Sequence, residues 1–173
     1  MNTRLVGSEM CIRDSTYGTP SISAKELKDM MDNKQDFIVL DSRPMDEYKV
    51  MKIPTGIDIP GAELVYRVED APITKDTTIV VNCAGRTRSI IGAQTLINAE
   101  VKNKVVALRN GTQGWYLAGY KLEHGADRSV PEVTDRGHSV ALKRAKSAAK
   151  KFGVKLINSE TLDRWREQQG ERT

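Results

Sequence analysis

The chain has 173 residues, 39% of them hydrophobic and 29% charged, with a formal net charge of +4. That length leaves room for one domain of ordinary size and little more. No apolar run approaches the roughly eighteen residues that a membrane-spanning helix requires, and two cysteines are too few for a disulfide framework.

Residues 1–15, Met-Asn-Thr-Arg-Leu-Val-Gly-Ser-Glu-Met-Cys-Ile-Arg-Asp-Ser, have no usable periodicity and lack the apolar core of a signal peptide. They resemble translated adapter read-through and are read as a non-native or disordered tail. Cys11 is set aside with them; the competing reading makes it a resolving cysteine. After a loop over residues 16–20, Ser23 and Glu26 form a capping box that opens a short helix with Leu27, Met30 and Met31 as its apolar face. Phe37 to Leu40 is an apolar strand. Asp41 and Arg43 fall at its C-terminal end, the edge where α/β sheets collect functional groups. Arg43 is expected to pair with Asp41 or Glu47 and to brace its surroundings. Met45 to Val50 suits one or two helical turns. The prolines and glycines from Ile53 to Gly61 allow only a short strand between turns, and Ala62 to Val68 suits a short helix.

Residues 78–98 organise the rest. Thr78 to Val81 is β-branched and apolar without alternation, as in a strand buried on both faces. Ile90, Ile91, Ala93, Leu96 and Ile97 then recur at helical spacing. Between them lies Cys83-Ala-Gly-Arg-Thr-Arg88, a tight loop that joins strand to helix. A thiolate is the nucleophilic form of cysteine. A helix N-terminus and the charges of Arg86 and Arg88 favour it. Gly85 lets the backbone curl, so that the N–H groups of Ala84, Gly85, Arg86, Thr87 and Arg88 converge on one anion. An inert buried cysteine is the plainer reading, yet it has no use for a glycine, two arginines and a helix start.

Val105 to Leu108 is the last strand, and Trp115 is expected to begin a helix packed over the sheet near the loop. Alternating short buried strands and helices predict an α/β fold, a mostly parallel central sheet with helices on both faces. Nothing calls for a metal or another cofactor, because His124 and His138 lie far from any ligand-like spacing. The same scarcity disfavours a Cys-His hydrolase. Beyond Gly125 the composition turns polar. Residues 136–155 carry Arg136, Lys143, Arg144, Lys146, Lys150, Lys151 and Lys155 with no acidic residue. Without interleaved aromatics this reads as a solvated basic helix, with no nucleic acid as partner.

The loop Cys83-Ala-Gly-Arg-Thr-Arg-Ser resembles the active-site loop of the rhodanese family of sulfurtransferases. Ile38-Val-Leu-Asp-Ser-Arg43 with Glu47-Tyr48 is similar to the family's first signature, Ile59-Pro-Gly-Ala62 to the segment after it, and Leu108-Arg-Asn-Gly-Thr-Gln-Gly-Trp115 with Ala118-Gly119 to the closing one. Lys52 departs from the histidine usual in the family. The resemblance implies a rhodanese domain over residues 16–126 with Cys83 as the sulfur carrier. Ala84 to Arg88 would bind substrate, and Asp41, Arg43, Glu47 and Trp115 would support the site. It further implies a small anionic donor such as thiosulfate, a thiol, cyanide or protein acceptor, no membrane partner, and a reducing, cytoplasmic setting. Two alternatives stay open: a persulfide relay or regulatory module, and a phosphatase. The phosphatase spacing, Cys followed by five residues and Arg, is not met, since Ser89 stands at that place. Finally, Leu156-Ile-Asn-Ser-Glu-Thr-Leu-Asp-Arg-Trp165 mirrors Ser21 to Met30 at an offset of 135. Residues 127–154 are therefore expected to be a linker with a basic helix, and residues 155–173 the truncated start of a second rhodanese domain.

Overall fold

In the computed structural model, residues 18–167 are described; the readings made on residues 1–15 and on Cys11 lie outside them. Five strands form one sheet, β1 (Ser21–Ile22), β2 (Phe37–Asp41), β3 (Ile57–Asp58), β4 (Thr78–Asn82) and β5 (Val105–Leu108), in the order β1-β5-β4-β2-β3. All neighbours are parallel, as the predicted α/β class requires. Parallel neighbours need crossover connections. These contain α1 (Ala24–Asp32), α2 (Met45–Val50), α3 (Leu64–Arg67) flanked by 3-10 turns at Gly61–Glu63 and Val68–Asp70, and α4 (Thr87–Asn98). After β5 comes α5 (Gly111–Leu117).

The strands read as continuous apolar runs because both faces are covered. Successive side chains point to opposite sides. Ile38, Leu40, Ile79 and Val81 meet Leu64, Ala93 and Leu96 of α3 and α4. Val39, Val80 and Val106 meet Ala24, Leu27 and Trp115 of α1 and α5. The capping box opens α1 as expected: Glu26 N–H donates to Ser23 Oγ at 3.2 Å, and Ser23 N–H donates to the Glu26 carboxylate at 2.7 Å.

Three expectations need correcting. Ile91 is exposed, and the buried face of α4 is Ser89, Gly92, Ala93 and Leu96. The helix lies so close to the sheet that a Cβ on Gly92 would stand 2.7 Å from Leu64 Cδ1 and 3.0 Å from Val81 Cγ1. Trp115 does not begin a helix; α5 starts at Gly111, after Asn110 and Gly111 both take left-handed φ angles. The stretch read as linker is docked. Asp58 N–H donates to Arg128 O at 2.9 Å, Ser129 bridges to Asp58 in parallel, and Val130 is buried in the core. Next, α6 (Asp135–Lys151) is capped by Thr134 Oγ1, which accepts from Gly137 N–H at 3.0 Å. It turns Gly137 and Ala141 inward, and its Arg144 pairs with Glu69 at 3.0 Å.

Last comes α7 (Ser159–Glu167), where Asn158 Oδ1 accepts from Thr161 N–H at 2.9 Å. On this helix Leu162 is 40% exposed, whereas Leu27, its counterpart at the offset of 135, is 0% exposed. Among the described residues no helix is long and apolar enough to cross a membrane. Urea unfolding should separate the two leucines. Leu27→Ala is expected to cost about 2–5 kcal/mol, and Leu162→Ala less than about 0.5 kcal/mol.

Candidate active site

The strand register aligns Asp58 with Asp41 and Asp41 with Asn82 at the C-terminal edge of the sheet. All three side chains are buried. Asp41 accepts both arms of the Arg43 fork at 2.8 Å, Nε on Oδ1 and Nη2 on Oδ2, and Asn82 Nδ2 donates to Oδ2 at 2.7 Å. Arg43 Nη2 also donates to Met51 O at 2.6 Å. A buried ion pair is tolerable when its remaining hydrogen-bonding capacity is met in this way. Of the two partners the sequence allowed for Arg43, the structure selects Asp41.

The same network reaches the cysteine loop. Asn82 Nδ2 donates to Thr112 Oγ1 at 3.2 Å, and Thr112 donates to Cys83 O twice, from Oγ1 at 3.1 Å and from N–H at 2.9 Å. Gln113 N–H donates to Ala84 O at 2.9 Å. The first turn of α5 thus holds two carbonyls of the loop. In a trans peptide C=O and N–H point in opposite directions. The N–H groups of Ala84 and Gly85 are therefore turned away from α5. Gly111 makes this approach possible: a Cβ there would stand 2.2 Å from Cys83 O and 2.6 Å from Gly85 O.

Cys83 is a free cysteine, 2% exposed, directly after β4. Arg86 precedes the helix, and its carbonyl accepts from Ser89 Oγ at 2.8 Å and Ile90 N–H at 3.2 Å, which starts α4. Thr87 is the exposed first residue of that helix. Arg88 donates from both Nη atoms to Glu47 at 2.8 and 2.7 Å, and this hydrogen-bonded contact holds the Glu47 carboxyl below its ordinary range. Ala84, Gly85, Arg86, Thr87 and Arg88 thus follow Cys83 in the loop and the first turn of α4, with Asp41 and Arg43 joined to the loop through Asn82 and Thr112, and Glu47 joined to it through Arg88. Trp115 is buried, its Nε1 donating to Lys121 O at 2.8 Å and its ring 4.8 Å from that of Tyr120. Asn82, Thr112 and Asp58 were not singled out from the sequence. A polar residue ending an apolar strand was the one signal for Asn82.

The profile of the Rhodanese-like domain matches residues 23–118. The chain belongs to the rhodanese family. Over 92% of its length it is similar to the crystal structure of thiosulfate sulfurtransferase from Pseudomonas aeruginosa, with 45% identity and a TM-score of 0.84, covering 30% of that protein. It is 35% identical over 88 residues to the HTH-type transcriptional regulator Rv0324 of Mycobacterium tuberculosis, 51% of this chain and 38% of that one. It is 28% identical over 102 residues to the putative sulfur carrier protein YrkF of Bacillus subtilis, 59% of this chain and 54% of that one. The rhodanese chain described here thus spans between about a third and about half of the length of these relatives.

Two variants test this geometry. Gly111→Ala forces a Cβ against the loop carbonyls and is expected to lower unfolding stability by more than about 2 kcal/mol while changing the alkylation rate of Cys83. Asp58 has a buried Oδ1 without a partner, and burial, with Asp41 next in effect, pushes its carboxyl up to about 6 from 3.8. A raised carboxyl favours folding below the unfolded value, and that advantage is lost as pH rises through the folded value. Asp58→Asn should therefore stabilise the protein at pH 7 by up to about 2–3 kcal/mol. The gain should fade between about pH 6 and pH 4, read from urea midpoints across that range.

Proposed function

We propose that this chain transfers a sulfane sulfur through a persulfide on Cys83. The observation that carries the reading is the loop itself: a free cysteine in a strand–helix turn whose first two carbonyls are held by α5, so that the opposed amides are available to an anion. The likeness to a protein named thiosulfate sulfurtransferase supports thiosulfate as donor. The Cys83 thiolate attacks the outer sulfur of thiosulfate. The sulfur–sulfur bond breaks, and sulfite leaves with its electron pair. The persulfide anion is then held by the loop N–H groups, with Arg86 beside it, as preorganised donors hold any developing anion. An acceptor nucleophile attacks the terminal sulfur and regenerates the thiolate in a ping-pong cycle. With cyanide the product is thiocyanate; with a thiol, small or protein-borne, it is a new persulfide. A reducing compartment suits this chemistry, because the thiol must not be locked in a disulfide.

A relay that receives sulfur only from a protein is the second reading, supported by the likeness to a putative sulfur carrier. For the chain's organisation, we infer that α7 belongs to a second rhodanese-like unit. Its Asn158 cap repeats the role of Ser23, and its partly exposed Leu162 stands at the place that the buried Leu27 holds on α1.

Intact mass after incubation with thiosulfate, then with cyanide, tests the reaction. One sulfur, about 32 Da, should be gained, removed by cyanide, and absent in Cys83→Ser. A folded protein with no adduct would remove thiosulfate as donor and leave the relay, checked with a persulfidated protein in its place.

A further inference from the structure

Sulfur transfer does not by itself call for the partner that Arg88 has. Arg88 Nη1 and Nη2 donate to Glu47 Oε1 and Oε2, a fork-on-fork pair joining the first turn of α4 to α2. The two side chains are 41% and 46% exposed, so the pair stands at the rim of the loop rather than beneath it. Arg88 is also close enough to Cys83 for the sulfur's charge to act on it. The other arginine with a known partner here, Arg43, is matched by Asp41 in the same manner. Arg88 near the loop cysteine and Arg43 in the network beneath β4's end therefore each carry a carboxylate of their own. Placing an arginine near an anion site and then cancelling its charge is informative, because a bare guanidinium would bind oxyanions more strongly.

We propose that Glu47 is a positioning residue that sets how strongly the Cys83 site prefers anionic over neutral reactants, by holding and neutralising Arg88 at the rim. The inference rests on Cys83 being the reacting group. It assigns the anion's direct hydrogen bonds to the loop backbone and makes the Arg88–Glu47 pair a charge-compensated rim. With the pair intact, a dianionic donor gains only modestly over a neutral one, and an acceptor thiol or a protein-borne persulfide is not shut out. With Glu47 neutralised, Arg88 adds its full charge to the field at the sulfur, and small oxyanions are favoured.

Alkylation of Cys83 reads this field without requiring any sulfur transfer. In the full chain, second-order rates are measured with iodoacetate, an anion, and iodoacetamide, its neutral analogue. Each forms a bond from sulfur to carbon and releases iodide, and the modification is read at the Cys83 peptide by mass. Glu47→Gln should raise the iodoacetate-to-iodoacetamide ratio by about threefold or more at low salt, with the rise shrinking as salt is added. Arg88→Gln should lower the ratio. The double variant Glu47→Gln/Arg88→Gln should return to within about twofold of the parent, since one neutral pair replaces another. In steady-state assays Glu47→Gln should lower KM for thiosulfate more than it changes kcat. A double variant as low as Arg88→Gln alone would make Arg88 a direct anion ligand and overturn the proposal. So would a fall in the ratio for Glu47→Gln, or equal changes in both rates, which a merely structural residue would give. If thiosulfate leaves no sulfur on Cys83, the ratios still decide the role of Glu47.

Discussion

The geometry of the Cys83 loop hangs on one buried carboxylate. Asp41 ends β2 inside the protein, where an ionised group is tolerable only if it is matched and hydrogen-bonded. It meets that condition by taking the Arg43 fork and the Asn82 amide. Each partner ties down something else: Arg43 the carbonyl of Met51, Asn82 the hydroxyl of Thr112. Through Thr112 the chain of bonds ends on the carbonyl of Cys83. The loop is thus fastened to the ends of two central strands and to a helix that arrives from β5. In the sulfur transfer proposed for Cys83 such rigidity would help, because preorganised donors need no rearrangement when charge appears.

The charges around the loop follow a second rule. Backbone N–H groups supply a fixed positive potential that does not move and carries no counter-charge. The arginines with assigned partners are each balanced by a carboxylate, Arg43 by Asp41 in the interior and Arg88 by Glu47 at the rim. The interior pair is architectural, since neither member reaches solvent. The rim pair is open to water and salt, so its contribution changes with conditions while the backbone's does not.

What could be read from the sequence was what is local. The capping box of Ser23 and Glu26, the β4 run from Thr78 to Val81, and the density of unusual residue types around Cys83 all act within a few positions. What could not be read depends on distances across the fold. Whether Ile91 or Gly92 faces the core is decided by how closely α4 lies against Leu64 and Val81. Glu47 and Arg88 are far apart in sequence and meet because β2 and β4 are neighbours. Thr112 reaches Cys83 because β5 pairs with β4 and two left-handed residues turn the chain back. Residues 128–130 carry one apolar side chain and no period, so composition alone made them a linker. The slot that receives Val130 exists only once the sheet and α3 have assembled.

That short docked segment bears on what counts as one folding unit. Ser129 lies along β3, which is the outermost strand of the sheet and only two residues long. An unpaired edge is a template for association with other chains, and covering it is a common defence. The segment shared across the family ends at residue 118, before Lys121, whose carbonyl satisfies Trp115, and before Arg128, Ser129 and Val130. A fragment cut at the family boundary would keep every loop residue around Cys83 yet lose the acceptor of a core tryptophan and the cover of an open sheet edge. The cysteine loop lies within the common segment, whereas a core tryptophan and one edge of the sheet are completed by the residues that follow it.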